Sequence, residues 1–476
     1  MIIASPRIFK TILCRNGHIP NVRNYIKPKH PIKRTWDVLF NNSNLIGKRT
    51  VFYPEHADVV IIGGGLIGSA VAYWLKTKTG KGLSVVVIEK DLSFKQSYNS
   101  ISLGNISQHY SLPENVHLSQ YGIEFLRNSK ELMNKNIDVK YHPSGCLVLA
   151  SEKHSEKLER NVDILREYGV KSELLTPSHI REKFPWINTS DIALGCLSYE
   201  GEGYFDARNL FKGLIQKSLE LGTIYVNSEV TGFEFERQQD FLMEGVKPGT
   251  YEKLNRVVYK TSDNEEYALK FAYCVLAAGT KSAEVAKLAK VGTGEGLLSI
   301  PLPLERRDSK VFTVSSNEKL CLNLNTPVTL DTSGLWFRKN GLENSLICGL
   351  MPVLLSDTNV QGSYTRDFEE SFYDNLIKPL LINRVPQCEK AEIKCISTEN
   401  YDYNTYDDSG ILGPHPYYIN LIFATGLGMN GALHALGAGR AIAEMIIDRN
   451  FETIDMTRFG FDRFLTGELV VESNVY

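Results

Sequence analysis

The sequence is poor in features that would classify it at a glance. Its eight cysteines include no C-x-x-C pair, which argues against a zinc site and against a disulfide framework and fits a reducing compartment. Lysine and arginine (53) nearly balance aspartate and glutamate (55), so there is no electrostatic case for nucleic acid, and no nucleic-acid-binding motif is present. No internal repeat or low-complexity tract stands out. The stretch from Val59 to Leu75 carries no charge, yet it is short for a membrane span, which needs roughly 20 apolar residues. Gly63, Gly64 and Gly65 at its centre would each weaken a helix by about 1 kcal/mol relative to alanine.

That stretch reads better as three pieces: a buried strand (DVVII), a glycine turn, and the start of a helix (LIGSAVAYWL). Gly63, Gly65 and Gly68 then fall on G-x-G-x-x-G. The first glycine makes the turn, the second lets a pyrophosphate approach the backbone, and the third lets helix and strand pack closely. The helix N-terminus adds free N–H groups and the positive end of its dipole. A second buried strand, Leu83 to Ile88, leads to Glu89, about 20 residues beyond the glycines, where an acid binds ribose hydroxyls. Strand, turn, helix, strand and acid together make a dinucleotide-binding unit.

The first residues differ from the rest. Arg7, Lys10, Arg15, Arg23, Lys27, Lys29, Lys33 and Arg34 all precede the first acidic residue, Asp37, and are interleaved with apolar Ile2, Ile3, Phe9, Ile12 and Leu13. A basic, acid-free, potentially amphipathic leader is the pattern of a mitochondrial transit peptide, here residues 1–34; the alternative is a basic tail.

At 476 residues the chain can bury a large core in two interleaved domains. Beyond Glu89 a polar loop carries Ser100 and Gly104. Helices are expected at about 116–134, 154–168, 177–184 and from 207 to Gly222. The alternating run from Thr223 to Arg237 and the run from Tyr267 to Gly279 read as strands. The second ends in Ala277, Ala278 and Gly279, small enough for a cofactor to approach. Residues 300–355 are strand-like and about 366–381 helical. Asn420 to Asp448 repeats strand, glycine turn and helix. Gly426, Gly428 and Gly431 suggest a second backbone segment at a cofactor, whereas Gly437 and Gly439 suit helix packing.

Four motifs now stand in order: G-x-G-x-x-G with Glu89, G-Y-F-D (Gly203–Asp206), A-A-G (Ala277–Gly279) and A-T-G-x-x-x-x-G (Ala424–Gly431). In this order the chain resembles the D-amino-acid oxidase/sarcosine oxidase class of FAD proteins. The resemblance implies an α/β plus α+β fold: a discontinuous Rossmann-like FAD-binding domain (57–113, 200–290 and 405–465) and a mixed-sheet substrate domain (114–199 and 291–404). It implies FAD as cofactor, held by Gly63, Gly65, Gly68, Glu89, Ser100, Gly104, Ala278, Gly279, Gly426 and Gly431. No metal ligands are expected. The runs YSLPENV, SEKH, KFPWINT, YDYNT and GPHP are similar to those of a mitochondrial branch of the class linked to assembly of respiratory complex I. That implies complex I subunits or assembly intermediates as partners, on the matrix side of the inner membrane with peripheral association at most. The alternative is a matrix oxidase or dehydrogenase of the sarcosine/dimethylglycine type, acting on the CH–NH group of a small amine or N-methyl amino acid.

Three residues are candidates for the chemistry. Arg338, in LWFRKN, suits a bidentate hold on a substrate carboxylate or else a surface ion pair. His415, in GPHP, suits proton transfer or a structural turn. Tyr401, with Tyr403, suits the flavin pocket or an ordinary edge strand. The sequence departs from the class at Asn430, where a histidine is common, and at Lys281, where an aromatic residue is common after A-A-G.

Overall fold

The computed structural model describes residues 53–94, 103–318, 320, 322–351 and 366–473. The basic leader and Ser100 lie outside them. In chain order the strands are β1 (His56–Ile62), β2 (Val85–Glu89), β3 (Asn105–Ile106), β4 (Cys146–Ala150), β5 (Ser172–Leu175), β6 (Leu194–Ser198), β7 (Gly203–Tyr204) and β8 (Ile224–Arg237). There follow β9 (Glu252–Thr261), β10 (Glu266–Leu276), β11 (Leu304–Ser315), β12 (Val328–Leu330), β13 (Leu335–Lys339), β14 (Ser345–Leu350), β15 (Glu392–Asn404), β16 (Ile411–Pro414) and β17 (Leu421–Thr425). Four helices matter for the site: α1 (Leu66–Thr79), α2 (Pro113–Arg127), α3 (Ala207–Glu220) and α4 (Gly431–Ile447).

The first sheet has seven strands. Parallel β1 lies between β2 and β10, with β8 beyond β2 and β17 beyond β10. The continuous apolar runs of β1, β2 and β17 are those of strands buried on both faces. Ile62 is level with Ile88 and with Leu276, and Leu276 with Phe423. The carboxyl ends of these strands therefore open on one edge, the usual place for a ligand in such a sheet. Helices α1 and α4 cross there almost without side chains between them: a Cβ on Gly439 would stand 2.7 Å from that of Ala70. A Cβ on Gly437 would stand 2.8 Å from Leu118 of α2. Both glycines serve helix packing. Helix α2, expected with the substrate domain from residue 114 on, instead packs on the dinucleotide side.

The second sheet has eight strands in the order β15-β11-β14-β13-β12-β4-β6-β5. All neighbours are antiparallel except β12 and β4. The two-stranded ribbon β3–β7 pairs Asn105 with Tyr204 and Ile106 with Gly203. Strand β9 was not legible as such, because its polar residues Glu252, Lys253, Asn255 and Arg256 break the apolar run. It forms by pairing with both β8 and β10. No described helix is long and apolar enough to cross a membrane.

Candidate active site

The glycine turn after β1 has the shape its spacing predicts. Gly63 has φ +97°, and a Cβ there would meet the Ala277 carbonyl oxygen at 2.3 Å. A Cβ on Gly68 would lie 2.0 Å from the Gly63 oxygen. Gly65, the N-cap of α1, faces open space with no atom within 4 Å. Two glycines thus close the turn and the third leaves a free approach to the helix N-terminus. Glu89 sits at the end of β2. Its Oε2 accepts from the Gly64 N–H at 2.8 Å and its Oε1 from Asp91 N–H at 3.0 Å. Burial raises its pKa, and each oxygen keeps a lone pair for a further donor.

A second glycine turn lies beside the first, between β17 and α4. Gly426 and Gly428 have φ +74° and +58°. Under this turn, on β15, the buried Asp402 carboxylate accepts from Gly426 N–H at 2.6 Å and Thr425 Oγ1 at 2.9 Å, and Ser282 Oγ lies 2.9 Å from the same Thr425 hydroxyl, which accepts from it. Burial raises the Asp402 pKa, opposed by these donors. Gly279 opens the short 3₁₀ turn Gly279–Lys281 after β10, with φ +53° and open space at its missing Cβ; Ala278 precedes it. Gly104 packs against the Phe205 carbonyl, 2.0 Å from where a Cβ would be.

Arg338 enters from the second sheet. It is 6 % exposed, so the surface ion-pair alternative fails. Its Nε donates to Asn105 Oδ1 at 2.9 Å, its Nη1 to the Lys339 carbonyl at 3.3 Å, and the guanidinium lies 4.5 Å over the Tyr204 ring. Nη2 makes no hydrogen bond among the described residues, and the buried Glu399 carboxylate acts on the group by its charge. Burial draws its pKa down to about 10. A planar fork with free donors is complementary to a carboxylate.

The structure does not bring the other two catalytic candidates to this place. His415 is wholly buried, and its N–H donates to the Leu421 carbonyl at the start of β17. That is the far end of the strand from Gly426, about 17 Å away at roughly 3.3 Å per residue. Its Nδ1 accepts from Tyr417 and Tyr418 N–H at 3.0 and 3.2 Å, with Phe423 and Phe461 against the ring. It is a turn residue, and burial draws its pKa down to about 3. Tyr401 is on the edge strand β15, next to Asp402 and so on the opposite face, turned away from the Gly426 turn. Asp402, not Tyr401, is the residue of YDYN that reaches it. Asn430 is exposed in the 3₁₀ turn Gly428–Asn430, and Lys281 is exposed and paired with Glu284.

Residues 58–445 match the family model for FAD dependent oxidoreductases. The chain belongs to that family. It is 38% identical over 425 residues to a Drosophila melanogaster protein named FAD-dependent oxidoreductase domain-containing protein 1 homolog, covering 89% of this chain and 81% of that one. It is 37% identical to FAD-dependent oxidoreductase domain-containing protein 1 of Mus musculus, covering 93% and 90%. Among solved structures, L-proline dehydrogenase from P. horikoshii superposes with a TM-score of 0.70 at 19% identity, covering 88% of this chain and all of that one.

FAD is therefore the cofactor of this family member, and the residues fit it. Gly65 and the N-terminus of α1 would take the pyrophosphate, Glu89 the ribose hydroxyls, and Gly104, Gly279 and the Gly426–Gly431 turn the flavin side. Asn105, Tyr204 and Asp402 were not singled out from the sequence. Each had a signal: Asn105 follows Gly104, Tyr204 is the Y of G-Y-F-D, and Asp402 stands between two tyrosines.

One buried group was not legible at all. Glu202, just before β7, is 0 % exposed. Its Oε1 accepts a short hydrogen bond from Gln108 N–H, and its Oε2 has no partner among the described residues. His109 Nε2 lies 3.8 Å from that oxygen and 3.0 Å from Ser198 Oγ. Cys146 Sγ lies close by, 3.8 Å from Ser107 Oγ. Burial pushes the Glu202 carboxyl up to about 8 and the His109 imidazole down to about 4.

Proposed function

We propose that the chain oxidises a small amine bearing a carboxylate, taking electrons from the C–H bond beside the nitrogen. The observation that carries this reading is Arg338, a buried guanidinium whose Nη2 donors are free among the described residues. It would hold the carboxylate through paired N–H···O bonds, while Asn105 and the Tyr204 ring fix its plane. Asp402 would hold the Gly426 turn in shape from below. FAD, when bound, supplies the acceptor for the hydride; the chain supplies orientation and a water-poor setting. The fold neighbour L-proline dehydrogenase is named for an amine with a carboxylate on the adjacent carbon. The test is anaerobic addition of N-methyl amino acids, and of the same amines without the carboxylate, to the flavin-loaded chain. Bleaching by the first set alone is expected; bleaching by neither, or equally by both, would refute the reading.

A second reading, for which Asn430 speaks, is a part in assembly of complex I on the matrix side of the mitochondrial inner membrane, in peripheral contact with its subunits or assembly intermediates. An exposed amide in place of the common histidine removes a titratable group from the flavin turn, as befits a protein kept for binding. Co-migration of an Arg338→Met variant with complex I intermediates would support it; absence of both this variant and the parent chain from those intermediates would end it.

A further inference from the structure

Three side chains of different chemistry meet at the base of the β3–β7 ribbon. A ring nitrogen of His109, Sγ of Cys146 and a carboxylate oxygen of Glu202 lie within 4.8 Å of one another, and all three residues are buried. They come from three separate elements: the loop after β3, the first residue of β4, and the residue before β7. Gln108 N–H bonds one oxygen of Glu202, while the other has no partner, and no lysine or arginine forms an ion pair with it among the described residues. An imidazole, a thiol and a carboxyl with one unpartnered oxygen thus converge on one buried point.

We propose that His109, Cys146 and Glu202 bind a zinc ion. The donor set, one imidazole nitrogen, one thiolate and one carboxylate, is drawn from the atoms that zinc takes. Its charge suits the place: a thiolate and a carboxylate offset the two charges of Zn²⁺, leaving a neutral centre in an apolar interior. Tetrahedral bonds of about 2.0–2.3 Å bring ligand atoms to about 3.3–3.8 Å apart. His109 Nε2 and Glu202 Oε2 already stand at 3.8 Å, and Sγ, within 4.8 Å of the other ligand atoms, would close in by at most about 1 Å. On binding, Cys146 loses its thiol proton to solvent. The Ser198 hydroxyl, 3.0 Å from Nε2, borders the fourth position.

The site would tie the ribbon to the second sheet. Asn105 and Tyr204, which hold Arg338, lie four residues from His109 and two from Glu202. Zinc would therefore brace the anion site without touching it, and this inference does not depend on any substrate.

The experiment is metal analysis of the flavin-loaded chain, prepared with zinc and dialysed, together with X-ray absorption at the zinc edge. About one zinc per flavin, with one sulfur at about 2.3 Å in its shell, is expected. Cys146→Ser should lose the zinc and keep the flavin. No zinc retained by the parent chain, or bound zinc without sulfur, would overturn the proposal. If Cys146→Ser fails to fold, the absorption spectrum of the parent chain decides alone.

Discussion

The crevice at the first sheet and the pocket at the ribbon are built in opposite ways. The crevice is made of backbone: Gly63, Gly65 and Gly68 lie within six positions of one another, and what they contribute is the room left by missing side chains. The ribbon pocket is made of side chains from distant parts of the chain. Arg338 meets Asn105 and Tyr204, and Glu202 meets His109 and Cys146. A site made of backbone room is recorded in local spacing; a site made of meeting side chains exists only once the sheets have folded.

The largest test of this contrast separates two glycines of one motif. Gly68→Ala should cost on the order of 4 kcal/mol, the upper end for one substitution, because its Cβ would stand 2.0 Å from the Gly63 oxygen. Flavin should be lost with it. Gly65→Ala has open space and should melt like the parent chain while losing flavin affinity. Thermal melts and flavin content of the two check this; equal melts would break the contrast.

Next comes Arg338→Met. Losing a bidentate charged contact should weaken a carboxylate-bearing substrate about 100-fold. Removing the guanidinium also leaves Asn105 and the buried Glu399 carboxylate without it and should lower the melting temperature. A steady-state comparison with a calorimetric melt reads both.

His415→Ala should be milder, about 1–3 kcal/mol, since the N–H groups of Tyr417 and Tyr418 lose their acceptor. His415→Asn should recover most of it, because its amide oxygen can accept in place of Nδ1, and neither should change flavin content. The acid side should move as well. His415 and His434 have folded pKa values drawn down to about 3, against about 6.5 unfolded. Neutral, they contribute stability that is complete above about pH 6.5 and is lost as pH falls from there towards 3. Denaturant melts across that window should show a shallower loss for His415→Asn than for the parent chain.

Much of the first sheet was legible because strand, glycine turn and helix follow one another without interruption. The helices from Pro177 and from Ala207 were legible for a similar reason: Pro177 and Asp206 mark their starts. Strand β9 was not, since partners on both sides override its polar residues. For the chemistry, the sequence left His415 between proton transfer and a structural turn, and its imidazole satisfies a turn at the far end of β17 from Gly426. Tyr401 was off by one residue, and a shift of one turns a strand's side chain to the other face. Arg338 was legible as a residue, but the free Nη2 end of its fork was not, since that depends on what folds around it.

The central claim is that Arg338 is an anion receptor beside the flavin, and the most direct measurement is a difference absorption titration. The flavin-loaded chain, and its Arg338→Met variant, would be titrated with an unreactive carboxylate such as acetate at constant ionic strength. A saturable change in the flavin bands of the parent chain, absent in the variant, is the expected result. The same change at the same affinity in both, or none in either, would contradict the account.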